Sequence, residues 1–411
     1  MTIVKLLDIS QVSQAVANLP ANPRIVTSGN FATPVTLLSA IDGVLPEYKL
    51  NLLNPQRGIP DREGVVLESS FVGPGMRRSP RLSYTPSRLS MVPLLFKSTL
   101  PPDAVVVHTS TPFNGKVSLG IEVNVVVGAL EAVKARGGVI IAQMNSQMPY
   151  LFGDGEIPLE DVDFAVQVDE PLNTHTPIEL DDSARAIGEA VAHRVPDGAT
   201  MQLGIGAVPD AVLHGLMHHR GLKVWTEMFS DGLLALDAAN ALDPDAIVTA
   251  SFIFGSHELY KWIDRNPRVR LLRSETTNEP ALIAQNPNMV SVNTALQIDL
   301  FAQANASRIK ARIHSGFGGQ TDFIVGALHS PGGQAIMALR SWHPKANVST
   351  IVPLVDEPVT SFQPTAVVTE QGTAAIWGHS EKEQARNLIE NAAHPRIRAE
   401  LWEEAAELGL A

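Results

Sequence analysis

Ala104-Val105-Val106-Val107-His108 is an apolar run of the length of a buried β-strand. It is followed by an Ala/Val-rich helical stretch over 123–135 and by a second apolar run, Gly138-Val139-Ile140-Ile141-Ala142-Gln143. A strand, a helix and a strand in this order form a βαβ unit, whose strands are parallel. Apolar runs and helical stretches alternate nearly throughout the chain, so we expect an α/β fold of open, mostly parallel sheets.

The second half of the chain continues the alternation. We predict a strand over 200–203, a turn over 204–208, a helix over 209–219 and a strand over 222–226. Pro209 suits the first turn of a helix, where a missing N–H costs nothing. Glu227 then lies at the carboxyl end of a strand, where open α/β folds keep their binding sites.

The length of 411 residues exceeds what one ordinary core supports, so we predict two domains. Residues 153–176 contain several prolines and acidic side chains and lack a sustained period, which is typical of a connection. We therefore place the domains at 1–175 and 176–411.

Composition excludes several classes of protein. Hydrophobic residues make up 45% of the chain and charged residues 18%, as in a globular protein. The net charge of −12 and the lack of a Lys/Arg run argue against nucleic acid as a partner. Without cysteine there is no disulfide and no thiolate site. We read no membrane span and no signal segment over residues 1–20, so we expect a cytoplasmic protein.

Two glycine motifs are candidates for binding an anion. Gly204-Ile205-Gly206 lies between a predicted strand and helix, where its N–H groups can face phosphate or an oxyanion; a plain tight turn is equally compatible. Ser315-Gly316-Phe317-Gly318-Gly319-Gln320-Thr321-Asp322-Phe323 has three glycines in four positions, which lets backbone approach a ligand closely. The alternative is a flexible hairpin, and we favour a functional loop.

Two glutamates compete for the part of a nucleophile. Glu227 is flanked by apolar Val224, Trp225, Met228 and Phe229, and burial of a carboxylate raises its pKa and strips its solvation. Glu370 also follows an apolar strand and precedes a glycine turn. A structural carboxylate that accepts backbone N–H bonds is equally compatible with this position. Sequence physics alone leaves both candidates open.

His214 and His218 lie four residues apart on a predicted helix, but no third ligand is apparent. We interpret them as a solvated helix end, where positive charge is favourable, and predict no metal site.

These motifs together resemble the acetyl-CoA hydrolase/transferase family, in particular its branch of 4-hydroxybutyrate and butyrate CoA-transferases. The resemblance covers most of the chain. Its motifs are Phe71-Val72-Gly73-Pro74-Gly75, Gln143-Met144-Asn145-Ser146-Gln147-Met148-Pro149, Gly204-Ile205-Gly206-Ala207-Val208-Pro209, Thr226-Glu227-Met228-Phe229-Ser230-Asp231-Gly232, residues 286–299, residues 315–323, and Thr369-Glu370-Gln371-Gly372.

The resemblance implies tandem CoA-transferase domains with an active site at their interface, and Glu227 as the nucleophile that forms acyl-glutamyl anhydride and glutamyl-CoA thioester intermediates. It also implies that the protein forms a homodimer or a larger homo-oligomer and that its small-molecule partners are acyl-CoA and small carboxylates. No tightly bound cofactor is implied, because coenzyme A enters as part of the substrate. The residues implied to position substrate or an oxyanion are Gly204, Gly206, Asn278, Gly318, Gly319 and Glu370. Those implied to bind CoA are Gly316, Gly318, Gly319 and Gln320.

Two positions depart from the family pattern. Gln297 stands where relatives often carry an acid, and Ile376-Trp377-Gly378 replaces a common Leu-Arg-Gly. The function that we expect is CoA transfer between an acetyl-, butyryl- or hydroxybutyryl-like acyl-CoA and a short-chain carboxylate. The alternatives are hydrolysis of an acyl-CoA by the same glutamate and acyl-CoA binding without turnover.

Overall fold

The computed structural model describes residues 4–175, 179–202 and 204–411. The chain divides into two compact units. The first comprises Met1–Thr176, Ile247–Thr277 and His314–Gly318, and the second Pro177–Ala246, Asn278–Ile313 and Gly319–Ala411. The first change of unit, after Thr176, falls next to the predicted boundary at 175. The chain then returns to the first unit at Ile247–Thr277 and at His314–Gly318, which the sequence analysis does not predict. The domains 1–175 and 176–411 stay a prediction.

The first unit contains an eight-stranded sheet. Its strands are β1 (Lys5–Leu6), β2 (Arg24–Thr27), β3 (Tyr48–Asn51), β4 (Val65–Ser69), β5 (Leu82–Tyr84), β6 (Ala104–Thr109), β7 (Val139–Asn145) and β8 (Phe164–Val168). They lie in the order β1-β8-β7-β6-β2-β3-β4-β5, and every neighbouring pair is parallel. The sheet is therefore of the parallel type that the sequence predicts.

The predicted βαβ unit is confirmed. All six residues of β6 are buried, and β6 pairs in parallel with β7. The helix Val126–Ala135 connects them and packs on both strands. A crossover helix over the sheet face explains why both strands are continuous apolar runs.

The prediction that residues 153–176 only connect the domains is wrong. Strand β8 lies within this stretch and pairs in parallel with β7. Ala165 and Val166 of β8 are buried, so a short apolar strand is present. The prolines and acidic residues around it hid the run from a composition argument.

The second unit is built on a six-stranded sheet. Its strands are β9 (Thr200–Gln202), β10 (Lys223–Val224), β11 (Met289–Asn293), β12 (Gln334–Ala338), β13 (Ala366–Thr369) and β14 (Gly372–Ala375). The order is β10-β9-β11-β12-β13-β14, with all neighbours parallel except the β13–β14 hairpin. The sequence predicts this sheet type but not its antiparallel edge.

The remaining elements are short. In the first unit the helices are Ser13–Val16, Val35–Asp42, Val92–Phe96, Val126–Ala135, His257–Ile263 and Ser274–Thr277, with 3-10 turns at Ile9–Gln11, Asn30–Ala32, Leu89–Met91 and Leu159–Asp161. In the second they are Asp182–Ala192, Ala207–Gly215, Gly232–Ala238, Pro280–Ile283, Gln320–His329, Glu381–Asn387 and Arg398–Glu407, with 3-10 turns at Leu216–His218 and Pro395–Ile397 and a π-helical turn at Leu388–Ala392. The minor strands are Lys116–Ser118, Phe152–Gly153, Glu156–Pro158, Met228–Phe229, Val248–Ala250, Phe252–Ile253, Val269–Leu271, Gln297–Asp299, Ala304–Asn305, Arg308–Ile309, Arg312–Ile313, Trp342–His343, Val348–Ser349 and Ile351–Val352.

The predicted elements around Glu227 are present with shifted ends. Strand β9 ends at Gln202, and the predicted Leu203 lies outside the described residues. The helix begins at Ala207, two residues earlier than predicted, and ends at Gly215 before a 3-10 turn. Strand β10 covers two residues of the predicted 222–226.

The helix Gln320–His329 is anchored in the core of the second unit. Phe323, Ile324 and Ala327 of the helix Gln320–His329 are buried, and this helix packs on β11 and β12. Its first residue follows Gly319, so the core sets where Gly319 lies. Within the described part of the chain, the helices are too short or too polar to cross a membrane.

Candidate active site

Glu227 lies in a tightly held segment between β10 and a two-residue strand, Met228–Phe229. The N–H of Trp225 donates to the carbonyl of Met201 at 3.1 Å, which ties the segment to β9. Thr226 is fully buried, and its hydroxyl donates to the carbonyl of Met228 at 2.8 Å. The hydroxyl bridge spans Glu227, so the backbone on both sides of this residue is anchored.

The carboxylate of Glu227 is held by two N–H donors. Asn278 Nδ2 donates to Glu227 Oε2 at 2.7 Å, and Asn278 is fully buried. The backbone N–H of Gly319 donates to the same carboxylate. The structure thus brings together three residues that the sequence singled out, from positions far apart along the chain.

Burial raises the pKa of Glu227 to about 7. Burial is the largest cause of this rise and the negative charge of Asp322 contributes to it, whereas the bonds from Asn278 and Gly319 oppose it. The side chain itself is half-buried, so one part of it stays accessible. A carboxyl group with a pKa near neutrality is a stronger base and nucleophile than an ordinary glutamate and is still largely ionised above pH 7.

Gly319 leaves no room for a side chain. A Cβ atom at this position would lie 1.8 Å from Glu227 Oε2 and 2.1 Å from Asn278 Nδ2. Its φ of −98° is one that any residue adopts, so space and not backbone conformation requires glycine here. This requirement is a feature of the site that the glycine spacing in the sequence did not reveal.

Asp322 also belongs to this site, but the sequence analysis did not name it as a candidate residue. It is 1% exposed and lies in the first turn of the helix Gln320–His329. It belongs to the quoted stretch 315–323, where the glycines drew attention away from it. A signal was present, because Asp322 is an acid at the third residue of a helix whose following residues are mostly apolar.

Gly206 lies at the start of the helix Ala207–Gly215 with φ 113°, a conformation that favours glycine. This N-terminus borders a cavity of about 410 Å³ that is also lined by Arg340, His343 and Lys345. Gly204 precedes it in the turn between β9 and the helix. Asp181 also lines the cavity and pairs with Arg340 at 2.7 Å. The helix N-terminus, with Lys345 nearby, is suited to a phosphate group.

The glycine loop lies partly in each unit. In the first unit, Gly316 pairs with Phe71 through an isolated bridge, and a Cβ on Gly318 would lie 3.0 Å from the Phe71 ring. In the second unit, Gln320 is the first residue of the helix and donates from Nε2 to the carbonyl of Thr294 at 3.1 Å. The loop is therefore not a flexible hairpin: it pairs with Phe71 and leads into a packed helix.

Glu370 is in the turn between β13 and β14 and has a different environment. It accepts hydrogen bonds from the backbone N–H of Ser341 at 2.9 Å, from the Ser341 hydroxyl, and from Gln371 Nε2 at 3.3 Å. Burial is the largest single influence and raises the pKa of Glu370, but the hydrogen bonds from Ser341, from Gln371 and from the backbone of Glu370 together outweigh it and lower this pKa. Ser341 follows Arg340, which lines the cavity beside Gly206.

The two departures from the family pattern lie in the second unit. Gln297 begins a short strand that pairs with Ala304–Asn305. Trp377 is 57% exposed, and its backbone N–H donates to the carbonyl of Thr365 at 3.2 Å, at the end of the β13–β14 hairpin away from Glu370.

His218 is exposed at the end of a helical turn. Among the described residues, no group of three or more acidic or imidazole side chains is placed to hold a metal ion.

Comparison with known proteins places the chain in a family. Residues 65–175 match the acetyl-CoA hydrolase/transferase N-terminal domain, and residues 255–405 match the C-terminal domain. The 4-hydroxybutyrate coenzyme A transferase of Clostridium kluyveri is 36% identical over 95% of this chain and 95% of its own. This protein is an enzyme of the acetyl-CoA hydrolase/transferase family.

Solved structures agree with this assignment. RipA from Yersinia pestis superposes with a TM-score of 0.92 at 27% identity, over 99% of this chain and 98% of that one. The 4-hydroxybutyrate CoA-transferase from Porphyromonas gingivalis has a TM-score of 0.83 at 30% identity, over 98% of each chain. The relatives include both CoA transferases and acetyl-CoA hydrolases, such as the acetyl-CoA hydrolase of Saccharomyces cerevisiae.

Proposed function

We propose that this enzyme transfers CoA between an acyl-CoA and a short-chain carboxylate, with Glu227 as the covalent nucleophile. The observation that carries the proposal is the Glu227 carboxylate, with a pKa of about 7, held by Asn278 and by the Gly319 N–H. No metal ion is needed, because the substrate thioester is already activated toward a carboxylate nucleophile.

In the first step, an oxygen of the ionised Glu227 attacks the thioester carbonyl of the acyl-CoA. The C–S bond breaks, CoA leaves as a thiolate, and an acyl-glutamyl anhydride remains. Because Asn278 holds Oε2, we assign the attack to Oε1. A raised pKa makes the carboxylate more nucleophilic than that of an exposed glutamate.

In the second step, the CoA thiolate attacks the glutamyl carbonyl carbon and expels the acyl group as a free carboxylate. The negative charge then develops on Glu227 Oε2, the oxygen that already faces Asn278 Nδ2 at 2.7 Å. Donors placed before the reaction act as an oxyanion hole, an effect of about 3 kcal/mol per donor. A second acid reverses both steps, so the thioester energy is conserved.

The cavity beside Gly206 supports binding of the charged part of CoA. Its volume of about 410 Å³ lies within the ~300–1,000 Å³ typical of ligand pockets. We assign the turn at Gly204 and Gly206 to a phosphate group. Glu370 holds Ser341, next to Arg340 in the cavity wall, so we assign it to positioning.

The glycine loop is assigned to the acyl end of the substrate. Gly316 and Gly318 expose backbone beside Phe71, and Gly319 and Gln320 start the helix next to Glu227. We propose that these four residues contact the bound acyl-CoA, with glycine allowing close approach of the backbone.

Hydrolysis is the alternative function, because relatives of this family include acetyl-CoA hydrolases. Water would then replace the acceptor acid at the glutamyl-CoA thioester. To separate the functions, the protein is incubated with acetyl-CoA or butyryl-CoA, with and without an added carboxylate. Thiol release that does not depend on the acceptor would contradict the transferase proposal.

The covalent step has a direct test. After mixing with acetyl-CoA, the peptide that contains Glu227 should gain the mass of one CoA less one water, as a thioester requires. Glu227→Gln should lose both adduct and turnover. Glu279→Gln is a matched control, since Glu279 is exposed and lies next to Asn278 in sequence. CoA binding by the wild type without any adduct or turnover would favour the non-catalytic alternative.

A further inference from the structure

We propose that Asp322 is a positioning residue whose negative charge disfavours the free carboxylate of Glu227 and thereby favours its conversion into the uncharged glutamyl-CoA thioester. This inference rests on the proposed function and extends it to a residue outside the covalent chemistry.

The geometry places Asp322 on the element that holds the nucleophile. Gly319, whose N–H donates to Glu227, is the N-cap of the helix Gln320–His329. The N–H of Phe323 donates to the carbonyl of Gly319 at 3.0 Å, so the first turn is closed. Asp322 lies within this turn, three residues after Gly319, whose N–H donates to the Glu227 carboxylate.

The surroundings keep the charge of Asp322 effective. Asp322 is 1% exposed, and its neighbours Thr321 and Phe323 are 3% and 1% exposed. Water screens charges poorly in such a site, so repulsion between two carboxylates is larger than at a surface. Within the described part of the chain, the side-chain charge that acts on Glu227 is that of Asp322, and this charge raises the pKa of Glu227.

The repulsion acts on two equilibria at once. Protonation of Glu227 removes its negative charge, and so does formation of the thioester. In the overall half-reaction, Glu227 carboxylate plus acyl-CoA gives glutamyl-CoA plus a free carboxylate, and the charge leaves with the released acid. The same free energy therefore raises the pKa of Glu227 and favours the covalent intermediate.

The test uses Asp322→Asn, which keeps the shape and removes the charge. Two quantities are measured with acetyl-CoA and acetate: the acidic limb of the kcat/KM profile, and the equilibrium fraction of enzyme that carries CoA, read by intact-protein mass. We expect the limb to move to lower pH by about half a unit or more, with a matching fall of about threefold in the adduct equilibrium constant above that pH.

Two variants serve as controls. Asp182→Asn removes an exposed acid from the first turn of the helix Asp182–Ala192 and should move neither quantity. Asp322→Glu keeps the charge, so a folded protein should retain the wild-type limb.

A fall in activity without a shift of the limb would show a structural role and overturn the inference, as would unchanged values of both quantities. If the Asn variant does not fold, a limb at lower pH in Asp322→Glu than in the wild type overturns it. Wild-type protein that never forms the adduct refutes the proposed function instead, which separates the two failures.

Discussion

Glu227 and Glu370 are two glutamates that follow apolar strands in the same compact unit, and the structure gives them opposite acidities. Burial and the charge of Asp322 raise the pKa of Glu227 to about 7, although it accepts bonds from Asn278 and Gly319. Glu370 is also partly buried, but its hydrogen bonds, chiefly those from Ser341, together lower its pKa. The balance between burial and hydrogen bonding, and not burial alone, sets the direction in which each pKa is shifted.

The two glutamates also affect the stability of the fold in opposite directions. A carboxyl whose pKa is raised on folding makes the fold less stable once it ionises, whereas one whose pKa is lowered makes the fold more stable. Glu227 is therefore a cost to the fold at neutral pH, and Glu370 a contribution. Such a cost is expected where a side chain serves chemistry.

The largest expected effect comes from Glu227→Gln. Turnover should fall by at least about 1,000-fold, because no nucleophile remains. The fold should become more stable by up to about 3 kcal/mol at about pH 8, since wild-type protein loses stability as pH rises from 4.5 through about 7. Thermal unfolding at about pH 5 and about pH 8 checks the sign, because the gain should be several-fold smaller at the lower pH.

An equal gain at both pH values, or a loss at the higher one, would show that Glu227 is not held against ionisation. Glu279→Gln should change neither turnover nor the pH dependence, because its side chain is exposed.

Gly319→Ala should have the second largest effect. The new Cβ would lie 1.8 Å from Glu227 Oε2, so the carboxylate or the helix start must shift. We expect kcat to fall by about 100-fold and the free energy of unfolding by about 1–3 kcal/mol. Gly43→Ala is the control, because its nearest contact is an ordinary 3.5 Å. Steady-state kinetics of Gly319→Ala that match the wild type would show that a Cβ at this position does not displace the Glu227 carboxylate.

Asn278→Ala tests how much hydrogen bonding lowers the pKa of Glu227. Its bond to Oε2 lowers the pKa of Glu227, so its loss should move the acidic limb of kcat/KM to higher pH. We expect kcat to fall by about 100-fold through loss of an oxyanion donor. Asn286→Ala, which removes a cap on the helix Pro280–Ile283 in the same unit, should leave the limb unchanged. A shift to lower pH would refute the assigned bond.

Glu370→Gln should have the smallest effect on the chemistry. The amide oxygen still accepts from Ser341 but carries no charge, so we expect a loss of about 1–2 kcal/mol in stability at neutral pH. Because the pKa of Glu370 is lowered, this difference should vanish as pH falls through that pKa. The KM for acetyl-CoA should rise several-fold with little change in kcat. A fall in kcat as large as that of Glu227→Gln would reverse the roles of the two glutamates.

Several features of the fold were predictable because they depend on local pattern. The continuous apolar runs of β6 and β7 with a helix between them predict the parallel pair that the structure contains. Strand β8 was missed because it is only five residues long and is flanked by acidic residues and prolines. The returns of residues 247–277 and 314–318 to the first unit depend on packing, which no local period reports.

The sequence by itself determined the α/β class, the glycine positions and two candidate glutamates, because period, turn chemistry and apolar flanks are local properties. Only the tertiary structure decided between their environments. Asn278 lies 51 positions from Glu227, and the helix that begins after Gly319 brings Asp322 to the same site. A pKa is set by burial, charges and N–H donors within a few ångströms, and here most of these come from distant parts of the chain.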